Sequence, residues 1–281
     1  MDGSTNAYLL EDRAIEDFLK TIEPKYNDAL DNLIAGKIDS TCIYTIAGFA
    51  AYVISCSPAG MRVGSGPLKS TLETAAALME AKGLLPPPPS ELGDTTFTEM
   101  LRDGAVKFTI DPKYPQAIGI SSIKKLTARF GNFKWEILHN EFDDSPFFTS
   151  DFPAAIEKTD DPRIVNRIVP LAPNLALRIK PEITLDNDQL NFDFTNFDSR
   201  RRKVGRRELI KLNRLIVRCA EDSVFYRDDH PWVRSFVTKN RHYYVEPQTQ
   251  KLTTPTGILN VSTQRVVART PQVEPSMSNS R

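Results

Sequence analysis

Leu84-Leu85-Pro86-Pro87-Pro88-Pro89-Ser90 divides the chain into two stretches whose apolar residues keep different rhythms. Consecutive prolines hold an extended backbone without internal hydrogen bonds, so neither a helix nor a central strand runs through them. They read as a linker, with a proline-rich docking ligand as the functional alternative. Upstream, Ile15, Phe18, Leu19, Ile22, Tyr26, Ala29, Leu30, Leu33 and Ile34 recur every three or four residues and predict one buried helical face. That stripe keeps its phase across Pro24. It predicts a kinked helix or two helices joined end to end, because proline fits a first turn but removes a bond from an interior one. Residues 41–55 read as a helix that is apolar on nearly all sides, and a third helix is predicted from Pro67 to a stop at Gly83.

Downstream the period shortens. Val106, Phe108 and Ile110 alternate, and residues 135–138 and 147–148 are short runs of aromatic and branched residues. Residues 164–169, 175–179, 242–245 and 258–261 complete the candidate strands, with a helix expected over 120–130. Helices first and a mixed strand and helix region second define an α+β protein. The expected division is a helical region over 1–85, an α+β region over 90–269, and a disordered tail over 270–281, where Pro271 and Pro275 stand among serines.

Composition limits function. The 36 Lys and Arg residues balance 36 Asp and Glu, so any attraction to nucleic acid or to an anionic membrane must come from local clustering. Cys42, Cys56 and Cys219 form no close pair of the metal-knuckle or redox kind. The opening residues lack the basic start and apolar stretch of a signal peptide, and the expectation is a soluble, cytoplasmic protein. Residues 40–61 carry no charge until Met61 gives way to Arg62, yet Tyr44, Thr45, Gly48, Tyr52 and Ser55 interrupt them. They fall short of the roughly 20 apolar residues a bilayer needs, so a protein-buried helix and no membrane contact are expected.

Trp135-Glu136-Ile137-Leu138 is followed, after a spacer, by Ser145-Pro146-Phe147-Phe148-Thr149-Ser150-Asp151-Phe152-Pro153. This pattern resembles the signature of a bacterial family known as domain of unknown function 4238. Ile168-Val169-Pro170-Leu171-Ala172-Pro173 is similar to a segment that follows in that family. Leu212-Asn213-Arg214, Ala220 and Val224-Phe225-Tyr226 resemble its late helix, and the opening helix pair with Ile22-Glu23 is compatible. Members generally open with a histidine-x-x-proline segment, whereas no histidine here precedes His139. The chain is therefore expected to be a shortened member or to have a misassigned start, and chemistry carried by that histidine is not expected in it. The resemblance brings a family name and no mechanism, since the family's activity is not established.

Two candidate sites stand out. Thr149-Ser150-Asp151 ends an aromatic strand just before Phe152-Pro153. There the Asp151 carboxylate, flanked by the hydroxyls of Thr149 and Ser150, could hold a divalent cation or act as a general base, with Asp143 and Asp144 as helpers. The structural alternative is a turn in which these side chains bond backbone amides. The second site is a basic helical face. Arg200-Arg201-Arg202-Lys203 leads into a helix over 206–221 whose apolar face carries Leu209, Leu212, Leu215, Ile216, Cys219 and Ala220. Arg207, Lys211, Arg214 and Arg218 gather opposite and span roughly 16 Å, enough to meet several phosphates. Asp186, Asp188, Asp193 and Asp198 lie upstream and would neutralise that face if they folded back.

The remaining signals are weak. His139, His230 and His242 share no metal-ligand spacing, and Asp228-Asp229-His230 before Pro231 reads as a helix cap. No glycine-x-serine-x-glycine elbow occurs, and Gly64-Ser65-Gly66 reads as a loop. Two function classes follow: a nucleic-acid-binding protein, extending to metal-dependent phosphodiester cleavage, and a non-enzymatic protein-interaction module with a groove on its helical third.

Overall fold

A computed structural model describes residues 7–9, 13–86, 93, 95–161, 164–186, 189–255 and 257–269. The chain is an α+β protein whose first part is helical, as the apolar spacing predicts. Helices α1 (Ala14–Ile22) and α2 (Tyr26–Ala35) join through one 3-10 turn over Glu23–Lys25 that contains Pro24. The two-helix reading holds because a first-turn N–H has no helical acceptor to lose. Gly36 ends α2 at φ 75°, where a side chain would be strained. Asp39 then caps α3 (Ser40–Cys56) by accepting the Cys42 N–H at 2.7 Å. Ile46, Ala47, Ala50 and Ala51 of α3 are fully buried, and α1, α2, α4 and α6 pack around it.

Helix α4 (Pro58–Ala81) begins at Pro58, with Ser57 as its cap, and runs straight through Gly64-Ser65-Gly66 and Pro67. The sequence suggested a loop there and a helix start at Pro67. Tertiary contact decides otherwise: Ala59 and Val63 are buried, and Gly66 lies against the ring of Pro247. Pro87 to Pro89 and the tail from Thr270 lie outside the described residues. Helix α5 (Phe97–Asp103) starts in a reciprocal capping box between Thr96 and Glu99. The alternating Val106-Phe108-Ile110 run pairs with no strand among the described residues, and Phe108 instead meets Phe97 edge-on. Helix α6 (Lys113–Asn132) lies along α3, with Gly119 so close to the Ser55 carbonyl that a Cβ would stand 2.7 Å from it. Helices from both sides of the four prolines therefore share one core.

The sheet is ordered β3-β4-β5-β1-β6. It consists of β1 (Lys134–His139), β3 (Ala155–Lys158), β4 (Val165–Ala172), β5 (Leu175–Lys180) and β6 (Asp198–Lys203). Neighbours run antiparallel, while β1 and β6 run parallel. Alternate side chains point to opposite faces, so Trp135, Ile137, Leu177 and Ile179 enter the core while Glu136 and Arg178 face helix α7 (Arg206–Cys219). The run Arg200-Arg201-Arg202-Lys203 thus lies in the edge strand β6. Short strands β2 (Thr149–Ser150) and β7 (Val224–Phe225) pair separately. Helix α8 (Pro231–Asn240) leads to a long hairpin of β8 (Tyr243–Thr254) and β9 (Gly257–Ala268). Among the described residues no single helix is long and apolar enough to cross a membrane.

Candidate functional site

On the sheet face beneath α7, Glu136 stands opposite Arg178 on one side and Arg200 on the other. Arg178 Nη1 donates to Glu136 at 2.6 Å, and its Nη2 reaches Glu157 and Glu208 at 3.1 Å each. Its Nε lies 2.8 Å from Glu157 but off the line of its N–H. Lys180 and Arg200 also bond Glu136, at 2.5 and 2.8 Å, while Arg202 bonds Glu208 at 2.7 Å and Lys211 approaches Glu157 at 3.5 Å. Burial pushes the Glu136 carboxyl up, but hydrogen bonds and charge from Lys180 and Arg178 outweigh it and bring it down to about 2. Sequence reading missed this network. Its one signal was a charge inside each of two buried strands, Glu136 in Trp-Glu-Ile-Leu and Arg178 in Leu-Ala-Leu-Arg-Ile.

The rest of the arginine run is also occupied. Arg201 turns to the other face and bonds the Ile34 carbonyl at the C-terminus of α2, where a cation is favoured, and Lys203 pairs with Glu141 at 2.6 Å. Of the four α7 cations, Arg207 and Arg214 are exposed and have no carboxylate partner among the described residues. Lys211 is 63% exposed despite its contact with Glu157. Arg218 differs: it stacks on Tyr243 at 4.3 Å and donates to Asn240 at 3.3 Å, fastening α7 to the hairpin. Asp186, Asp193 and Asp198 make no ion pair with these cations, and Asp188 lies outside the described residues.

Asp151 accepts three backbone hydrogen bonds through its carboxylate. One oxygen accepts the Glu221 N–H at 2.9 Å, and the other accepts those of Asp222 and Ser223 at 2.7 and 3.0 Å. The carboxylate therefore fastens the signature turn to the chain leaving α7, with three of its acceptor positions taken by those amides. Ser150 Oγ accepts from Phe152 N at 3.2 Å, which closes the turn locally. Thr149 pairs with Phe225. Asp144 pairs with Arg206 at 3.1 Å, and Asp143 stays exposed. The structure thus joins Thr149, Ser150 and Asp151 in one turn without bringing the other carboxylates to them. Among the described residues, no group of three or more His, Cys, Asp or Glu side chains is placed to hold a metal ion. The buried Asn213 of α7 completes the anchoring, bonding Phe148 N at 3.0 Å and Pro146 O at 2.8 Å.

Fold and site define an α+β protein in which a five-stranded mixed sheet lies between a helical layer and one cationic helix. The chain belongs to the family described as protein of unknown function (DUF4238), whose model matches residues 4–230. The matched region takes in the whole five-stranded sheet, α7 and the β2–β7 pair, and ends where α8 begins. No curated protein and no solved structure matches the chain.

Proposed function

We propose that the protein binds nucleic acid through a cationic belt made by α7 and the adjoining strands β5, β1 and β6. One observation supports this reading above the others. Arg178, Lys180, Arg200, Arg202 and Lys211 share the three carboxylates of Glu136, Glu157 and Glu208. Arg207 and Arg214 flank Lys211 on the same helix without carboxylates of their own. Cations in this belt therefore outnumber anions, although the chain as a whole is neutral. Farther along the same face Lys134 pairs with Glu182 at 3.1 Å and stands in register with Asp198.

Such a belt meets the phosphate backbone, not base edges, so binding is expected to be salt-sensitive and tolerant of sequence. From Arg207 to Arg214 the belt runs roughly 10 Å along α7, which suits two or three phosphates of one strand. Phosphodiester cleavage draws no support from this geometry, because Asp151 spends both oxygens on backbone amides.

The test is a gel shift with the full chain and a 30-base-pair duplex over a salt series. Reversing Arg207, Lys211 and Arg214 to Glu should abolish the shift at moderate salt. Each single reversal should lower the salt slope by about one. Melting temperature should stay nearly constant on reversal of Arg207 or Arg214, which are exposed without carboxylate partners, and fall modestly on reversal of Lys211, which lies 3.5 Å from Glu157. A triple variant that folds and still shifts the duplex like the parent would sink the proposal.

A further inference from the structure

Met61, Phe108, Ile110 and Pro115 line a hollow of about 330 Å³ between helix α4 and the irregular segment that joins α5 to α6. That segment carries the alternating run which pairs with no strand among the described residues. Its alternation still has a structural meaning. Val106, Phe108 and Ile110 are half-buried while Ala105, Lys107 and Thr109 between them are exposed, so the run lays one edge on the protein. The Val106 N–H reaches the Met100 carbonyl at 3.2 Å, the Asp111 carboxylate accepts the Lys113 N–H at 2.9 Å, and the rings of Phe97 and Phe108 lie 6.0 Å apart. This wall of the hollow is thus fastened at both ends and at its ring.

Three polar side chains, Arg62, Ser65 and Lys69, line the same hollow from one stripe of α4, and the first two are spent. Arg62 donates through Nε and Nη2 to the two Glu221 oxygens at 2.7 Å each, and through Nη2 to the Val245 carbonyl at 2.8 Å. The Ser65 hydroxyl donates to the Arg62 carbonyl at 2.7 Å. Lys69 remains. It is exposed, has no carboxylate partner among the described residues, and lies two helical turns from Arg62, about 10 Å along α4. The hollow therefore joins apolar walls to one uncompensated cation. Apolar walls around open space are hydrated at a cost that an apolar guest removes, while a single charged group in such a lining fixes the guest's orientation.

We infer that this hollow binds a small molecule with an apolar body and a single anionic head, the body lying against Met61, Phe108 and Ile110 and the head at Lys69. The charge count sets the ligand class: a second anionic group would meet a guanidinium that Glu221 already neutralises. The volume is at the small end for small-molecule sites, and a medium-chain carboxylate is the simplest member of the class. None of the cations of the α7 belt lines the hollow, so the inference stands apart from nucleic-acid binding and survives its failure.

Isothermal titration calorimetry with the full chain tests it. Octanoate is the ligand, and octanol, octylammonium and acetate are the controls. Expected is saturable binding of octanoate, with octanol weaker by about threefold and octylammonium by about tenfold. Acetate, which has the head without the body, should not bind. Lys69→Glu should lose about tenfold in octanoate affinity and nothing in octanol affinity. Lys69 is exposed, so this variant should melt near the parent temperature. Phe108→Ala should weaken octanoate and octanol alike, and Lys69→Glu keeps the inference open to refutation if that ring variant fails to fold. The inference is overturned by the absence of saturable octanoate binding, by octanol binding as tightly as octanoate, or by full octanoate affinity in Lys69→Glu.

Discussion

Glu136 on β1 and Arg178 on β5 are register partners, and they meet at 2.6 Å beneath α7 with both side chains buried. A charged pair in this position costs desolvation on both sides, and here further bonds from Lys180, Arg200, Glu157 and Glu208 offset it. The pair ties two neighbouring strands to the helix above them, so the sheet and α7 should unfold together.

Acid should release that tie. The Glu136 carboxyl is lowered from 4.5 to about 2 in the folded chain, so it stabilises the fold at pH values above the unfolded value and loses that contribution as pH falls from 4.5 towards 2. At about 1.4 kcal/mol per unit the contribution at neutral pH is about 3 kcal/mol. Glu136→Gln should be destabilised by that order in urea at pH 7, and its stability should converge on the parent's near pH 2. Parallel curves across the whole range would refute this account.

Asp151→Asn places an amide group where the carboxylate accepts from Glu221, Asp222 and Ser223. One amide oxygen cannot accept all three N–H groups, so a loss of about 2 kcal/mol is expected. Millimolar magnesium, manganese or calcium should leave the parent melting temperature unchanged. A cation-induced rise that disappears in Asp151→Asn would restore the metal-binding role that the sequence suggested.

Arg218→Ala separates structure from binding on the same helix. It removes the stack on Tyr243 and the bond to Asn240. Amide exchange should quicken in the base of the β8–β9 hairpin, while the duplex gel shift should keep its strength. A weakened shift with unaltered exchange would return Arg218 to the binding surface.

The order of element types was legible from residues alone. Stripes such as Ile15, Phe18, Leu19 and Ile22 report a helix because burial at this period needs only local geometry. The joint at Pro24 and the cationic spacing of Arg207, Lys211 and Arg214 were legible for the same reason. Strand readings were weaker where pairing was distant: Val106, Phe108 and Ile110 alternate without a neighbour, while Arg200 to Lys203 lack apolar character yet pair with β1.

Hydrophobic rhythm by itself determined that helices come first and strands follow, and that one face of α7 is cationic. It could not assign partners. Which carboxylates neutralise which cations, that Asp151 is spent on three amides, and that Tyr26, Phe49, Leu171 and Phe225 line one groove were decided only by tertiary structure. Periodicity is a property of adjacent residues. Charge compensation and concavity depend on residues distant in the chain, 42 positions apart for Glu136 and Arg178 and 145 for Tyr26 and Leu171.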